Sequence, residues 1–163
     1  GGLGANNDFP FAINNAGQIV GYSYTTGSPD MHAVLWNGSA LTDLGSLGGT
    51  HYFAKDINNA GQIVGGSNII GNTAFHATLW DGGIAIDLNT RLVDASFLSA
   101  GWVLEDATGI NDNGWIVGTA TNSILGQSHA FLLTPTVVPV PGTFWLFGSG
   151  LLGLISIAKR RKQ

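Results

Sequence analysis

Ile13 to Gly21 reads INNAGQIVG. The same nine letters return at Ile57 to Gly65, and INDNGWIVG stands at Ile110 to Gly118. A second motif keeps the same spacing, with HAVLW at His32 to Trp36, HATLW at His76 to Trp80 and HAFLL at His129 to Leu133. From Ile13 to Ile57 and from His32 to His76 the step is 44 residues; from Ile57 to Ile110 and from His76 to His129 it is 53. Equal steps in two separate motifs mean one structural unit written three times, the last with a nine-residue insertion between Asp87 and Ile110. A third motif, LTDLGSLGG at Leu41 to Gly49, moved back by 44 lays Gly45, Leu47 and Gly48 on Gly1, Leu3 and Gly4. The sequence is therefore expected to open inside a repeat, with further repeats upstream.

Within a unit the pattern is that of short strands and tight turns. Asn15, Ala16 and Gly17, and again Asn59, Ala60 and Gly61, lie between apolar pairs, where glycine can take the positive φ of a hairpin turn. Asn113 and Gly114 repeat that chemistry, so Gly17, Gly61 and Gly114 are the expected turn glycines. The β-branched pair that follows suits a pleated surface. In the His motif, Ala33 and Leu35 share one face and His32, Val34 and Trp36 the other. Both faces are largely apolar, which predicts sheets stacked face to face. Leu41 to Leu44 and Ile84 to Leu88 supply one more strand each.

Four short strands in about 44 residues match the size of a propeller blade. The expected fold is all-β: blade-like antiparallel sheet repeats, a partial β-propeller-like array, followed by a C-terminal transmembrane helix. The β repeats occupy residues 1–134, in units of about 1–47, 48–88 and 89–134. In the third unit Leu88, Leu92 and Val93 suggest a helical turn and Ser96 to Gly101 a loop, the insertion serving as an edge-covering cap.

Only 10% of residues are charged and 25 are glycine, a profile of turn-dense β structure. The formal charge of −4 hides an asymmetry, because Lys159, Arg160, Arg161 and Lys162 are four of the six basic residues. Residues 1–142 hold ten acidic side chains against Lys55 and Arg91, a poor match for a phosphate backbone, so no nucleic-acid partner is expected. With no cysteine there is no disulfide framework, thiolate chemistry or cysteine-based zinc site. The sequence lacks a basic, apolar N-terminal leader, which truncation explains better than a cytoplasmic home.

After Leu133 the composition changes. Pro135, Pro139 and Pro141 fall within seven residues, favouring an extended connector over 135–142. From Gly142 to Ala158 no residue is charged, and at a helical rise this is about 25 Å, the low end of a bilayer span. Phe144 and Trp145 mark one interface, and Lys159 to Lys162 predict a cytoplasmic C-terminus, placing helix and tail at 143–163.

The ending VPVP, GTFWLFGSGLLGLISIA, KRRK resembles the PEP-CTERM sorting signal, in which a Pro-containing motif, a membrane helix and a basic tail are read by the membrane enzyme exosortase. Val138, Pro139, Val140 and Pro141 form the motif, with Val140 where the family carries Glu. The repeat motifs are similar to those of the HAF family of extracellular repeats. The resemblance implies export, and a C-terminal helix held in the inner membrane with its tail in the cytoplasm. Cleavage between Pro139 and Gly142 would then release the body to the cell surface or extracellular matrix of bacteria that make exopolysaccharide.

Candidate chemistry is sparse. His32, His76 and His129 occupy equivalent positions, but residues one repeat apart lie on successive sheets and would have to line a common axis to share an ion, so each reads as a structural residue bonding a neighbouring loop. Asn111, Asp112, Asn113 and Gly114 lack the spaced ligands of a calcium loop. Glu105 and Asp106 are adjacent, and strand neighbours point to opposite faces, a poor geometry for paired glycosidase carboxylates. No cofactor, metal or catalytic residue is expected. The reading is a non-catalytic exported protein with a binding or structural role in a biofilm or exopolysaccharide matrix. Its partners would be exosortase, the membrane as transient or permanent anchor, and exopolysaccharide, with recognition on the loops Thr25 to Asp30, Asn68 to Thr73 and Asn122 to Gln127. The alternative is a carbohydrate-active or metal-dependent extracellular enzyme whose catalytic part lies upstream.

Overall fold

The computed structural model describes residues 1–92 and 96–135. They form eleven strands in three antiparallel sheets. The first sheet holds β1 (Gly4–Ile13), β2 (Ile19–Thr25), β3 (Met31–Asn37) and β4 (Ala40–Asp43). The second holds β5 (Gly48–Ile57), β6 (Ile63–Ile69), β7 (Phe75–Asp81) and β8 (Ile84–Asp87). The third has three strands among the described residues, β9 (Trp102–Ile110), β10 (Ile116–Asn122) and β11 (Gln127–Leu133). In each sheet every strand pairs with its neighbour in sequence, the economy of short connections. The all-β antiparallel expectation holds. The three sheets do not close into a ring.

Register repeats with the sequence. Phe9 pairs Tyr22 and Ile13 pairs Ile19, as Phe53 pairs Gly66 and Ile57 pairs Ile63. Each first strand carries one extra residue at the same place, Phe11, Lys55 or Thr108, which bends the strand as a β-bulge does. The bulge explains the last glycine of INNAGQIVG. A Cβ on Gly21 or Gly65 would collide with the backbone oxygen of Phe9 or Phe53, and one on Gly118 with that of Asp106. Gly17, Gly61 and Gly114 answer a different need, with φ of 76°, 81° and 74° at the turn. Pro10 lies on β1, an edge strand, the place in a sheet where proline is tolerated.

The sheets stack, and a hydrophobic core fills each of the two gaps. Val20 and Ala33 of the first sheet meet Tyr52, Ala54, Ile57, Ile63 and Trp80 of the second. Val64 and Ala77, on the opposite face of the second sheet, meet Leu104, Ala107, Ile110, Ile116 and Ala120 of the third. Full burial of a valine such as Val20 or Val64 contributes about 1.5–3 kcal/mol relative to exposure. Trp80 completes the first gap, its indole N–H donating to the Gly45 carbonyl at 2.9 Å; Trp36 makes the same bond to Gly1 at 3.0 Å.

The insertion differs in detail from expectation. A 3₁₀ turn spans Leu88–Arg91, with Asp87 accepting from the Asn89 N–H, and the chain is already extended at Leu92. Val93 lies outside the described residues. Residues Ser96–Ser99, expected as loop, make one helical turn, α1, closed by Ala100 N–H to Ser96 at 3.0 Å and ended at Gly101 with φ 84°. Its Phe97, with Leu88 and Leu92, packs onto the second core. Among the described residues no helix is long and apolar enough to cross a membrane. The span expected at 143–163 lies outside them.

Candidate functional site

The turns of the three repeats line up along one edge of the stack and bond to each other. Asn14 Nδ2 donates to the Asn58 carbonyl at 3.1 Å, and Asn58 Nδ2 donates to the Asn111 carbonyl at 3.1 Å. Beside them the Asn15 N–H donates to Asn59 Oδ1 at 2.9 Å and the Asn59 N–H to Asp112 Oδ1 at 2.8 Å. Each first asparagine also shapes its own turn. Asn14 Oδ1 accepts from Ala16 and Gln18, and Asn111 Oδ1 from Asn113 and Trp115. The Asn59 N–H and amide hold the Asp112 carboxyl below the ordinary carboxylate value. Asp112 is thus a rung of this ladder. A shallow polar groove of about 270 Å³ follows it.

The repeat histidines do not converge. His32 Nδ1 lies 2.8 Å from Asp43 Oδ2, and His76 Nδ1 2.7 Å from Asp87 Oδ2. His129 instead rests on the Trp102 ring, with centroids 5.0 Å apart. The Tyr52 hydroxyl of the second sheet reaches back to Asp43 Oδ1 at 2.9 Å and to His32 Nδ1 at 2.7 Å, tying the first two sheets together. Burial, and then the bond to Asp43, pushes that hydroxyl far above the usual phenol value. Burial pushes the Asp87 carboxyl up, but hydrogen bonds from His76 and from the Asn89 N–H and side chain hold it below the ordinary value. No group of three or more metal-ligating side chains gathers among the described residues.

A row of aromatic rings provides the most distinctive surface. Phe9 stacks on Tyr22 with centroids 4.9 Å apart, and Phe11 and Tyr24 pack around Tyr22 at 5.8 and 5.7 Å. Phe9 and Phe11 are 42% and 55% exposed. One repeat on, Phe53 takes the position of Phe9, and Gly66 stands where Tyr22 did. The missing side chain leaves room for Phe75, which stacks on Phe53 at 5.3 Å. Phe53, Phe75, Glu105, Asp106 and Thr119 line a cleft of about 320 Å³.

Glu105 and Asp106 were expected on opposite faces, yet both line this cleft. Asp106 pairs Thr119 and Leu104 pairs Ala120, so Glu105 is an unpaired bulge residue and alternation fails there. Asp106 is ion-paired to Lys55, whose ammonium also lies 5.2 Å from the Phe53 ring centre. One Asp106 oxygen, Oδ1, is buried without a hydrogen-bond partner among the described residues. The arrangement offers apolar ring faces, a carboxylate acceptor and a cation in one concave place.

Val138, Pro139, Val140, Pro141 and the cations Lys159, Arg160, Arg161 and Lys162 lie outside the described residues. Their segment carries its own evidence. Residues 137–162 match the PEP-CTERM protein-sorting motif. The PEP-CTERM signal marks an exported protein that is sorted by exosortase, a membrane enzyme, and anchored transiently at the membrane. No curated protein and no solved structure matches the chain.

Sequence reasoning missed three features of this surface. The asparagine ladder is hidden in the sequence, because nothing local in the repeated Asn14, Asn58 and Asn111 shows that each side chain or carbonyl bonds the next repeat. The histidine partners had a signal, since Asp43 and Asp87 each stand eleven residues after their histidine. The aromatic row had one too, Phe9 and Phe53 being one 44-residue step apart. The loops Thr25 to Asp30, Asn68 to Thr73 and Asn122 to Gln127 are largely exposed, but the cleft is built from strand residues instead.

Proposed function

We propose that this is a non-catalytic extracellular or cell-surface protein that binds polysaccharide along the aromatic side of its stacked repeats. The HAF-like repeats act as a partial propeller-like scaffold, with units of about 1–47, 48–88 and 89–134, and the C-terminal helix is cut off or retained after export. The observation that carries the reading is the stacked pair Phe53 and Phe75 beside Glu105 and Asp106 in one cleft. Sugar C–H bonds, weakly positive, lie well on the negative face of an aromatic ring, while neighbouring hydroxyls seek carboxylate acceptors. The first sheet's Phe9 and Tyr22 continue the row, so a linear chain has more than one ring pair to lie on. The acidic body favours a neutral polymer. Holding Asp106 against Lys55 suits a fixed acceptor better than a group that must pass a proton.

Affinity electrophoresis tests this directly. The protein should be retarded in gels containing a soluble neutral β-glucan and run freely in gels containing a polyuronate. Free migration in both would refute glycan binding. For the sorting step, the intact mass of the mature protein should lack everything after a cut between Pro139 and Gly142. A mass that still includes Lys159 to Lys162 would show a permanent anchor instead.

A further inference from the structure

The third sheet turns an apolar patch away from the stack. Val20 and Val64 are fully buried, each by the sheet that follows, and Val117, their counterpart in β10, is 46% exposed. Its cross-strand partner Leu132 is 56% exposed, whereas Leu35 and Leu79 at that position pack into the cores. Farther along the same face the side chains become small or polar. Thr119 pairs Ala130 and Thr121 pairs Ser128, at positions where the first sheet carries Tyr22 and Tyr24 on its second strand. The patch is confined to the end of the hairpin from which the chain departs.

Trp115 extends this patch. In the first two repeats the position holds Gln18 and Gln62, which accept from Asn14 and Asn58 at 2.8 and 2.9 Å. Their Oε1 atoms lie 4.0 and 3.8 Å from where a Cβ on Gly61 or Gly114 would stand, so the side chain at this position reaches toward the following repeat. An indole cannot accept the asparagine bond, and Trp115, 47% exposed, instead faces out of the third sheet beside Val117. Here too the chain leaves the stack, with Pro135 Cγ 3.2 Å from a Cβ built on Gly114. Seven residues, 136–142, separate Pro135 from the apolar run expected to enter the bilayer at 143. Even fully extended they reach no more than about 25 Å. Any sheet encoded beyond that span would lie across the bilayer and could not stack on this face.

We propose that Trp115, Val117 and Leu132 rest on the lipid surface while the protein is anchored, at the boundary between headgroups and acyl chains. The proposal rests on the membrane anchoring that follows from the sorting motif at residues 137–162. Tryptophan favours that boundary, its ring toward the acyl chains and its N–H toward the headgroups. Lys55 and Arg91 are the only basic residues in 1–142, and Asp112 is the charged neighbour of the patch, so the contact is apolar and needs no anionic lipid. Docked in this way, the third sheet keeps residues 136–142 at the membrane surface, within reach of exosortase, a membrane enzyme.

Because the chain has no cysteine, single spin labels can report the contact on the full chain reconstituted in phosphatidylcholine vesicles. A label on Val117→Cys should collide with dissolved oxygen, which concentrates in lipid, severalfold more often than with a water-soluble nickel chelate. A label on Thr73→Cys, exposed on the second sheet, should show the reverse. Leu151→Cys, in the apolar run, separates the two readings. Lipid at Leu151 with water at Val117 leaves the anchor standing and overturns the docking; water at both overturns both. A Val117 label shielded from oxygen and nickel alike would mean that protein covers the patch, and would also overturn the docking. Adding Trp115→Ser and Leu132→Ser to the labelled chain should lower the lipid signal at Val117 to the Thr73 level, whereas Ile124→Ser with Leu125→Ser, exposed at the far turn of the same hairpin, should leave it unchanged. The opposite pattern would overturn the proposal. All four side chains are exposed, so these variants should unfold at the parent's temperature.

Discussion

Asn14 and Asn58, 44 residues apart, are joined by a hydrogen bond of 3.1 Å from the side-chain amide of one to the backbone carbonyl of the other, and Asn58 repeats the bond to Asn111. The periodicity of the sequence is thereby converted into a physical ladder. Both donors are buried, Asn58 at 3% exposure and Asn14 at 9%, so their bonds face little competition from water.

Asn58→Ala removes bonds to Gln62 as well as to Asn111 and leaves the part-buried Asn111 carbonyl and Gln62 N–H short of partners. The expected loss is about 2–3 kcal/mol of unfolding free energy. Asn111→Ala, which removes an exposed side chain that accepts only within its own turn and keeps the backbone carbonyl that Asn58 bonds, should cost about 1 kcal/mol. Urea unfolding followed by tryptophan fluorescence compares them; equal losses would mean the ladder adds nothing to the turn.

Gly65→Ala places a methyl group against the Phe53 carbonyl at the bulge. Backbone must move, at a cost of about 1–3 kcal/mol. An alanine variant as stable as the parent would show that the bulge relaxes freely.

Asp87 makes stability depend on acid. Its folded carboxyl titrates below the ordinary carboxylate value, so it contributes stability that is present above the ordinary value and lost as pH falls through the lower, folded one. Asp87→Asn should therefore be less stable than the parent at pH 7, by about 1 kcal/mol or more for the weakened bonds to His76 and Asn89. The gap should close in strongly acidic urea titrations. A gap that persists at the lowest pH would assign the effect to packing.

Phe53→Ala should abolish retardation by a neutral glucan if the cleft holds the sugar, and Phe9→Ala should weaken it severalfold while leaving thermal unfolding nearly unchanged, since that ring is 42% exposed. Retardation that survives both changes would move the binding surface elsewhere.

The spacing of the Ile and His motifs determined that this chain is a set of like β units, because a strand's side-chain alternation and a turn's glycine are local properties carried by a few adjacent residues. Gly17, Gly61 and Gly114 could be placed at turns from sequence for that reason. The sorting segment was equally legible, as composition alone separates an apolar run and its basic tail from a folded domain, and residues 137–162 match the motif. Tertiary structure decided what those units do to each other. Which donor meets which carbonyl across 44 or 53 residues depends on the offset between stacked sheets, and no local preference encodes that offset. The bulge at Glu105 makes the same point: one unpaired residue turned two carboxylates expected on opposite faces toward a single cleft, and only the pairing of β9 with β10 reveals it.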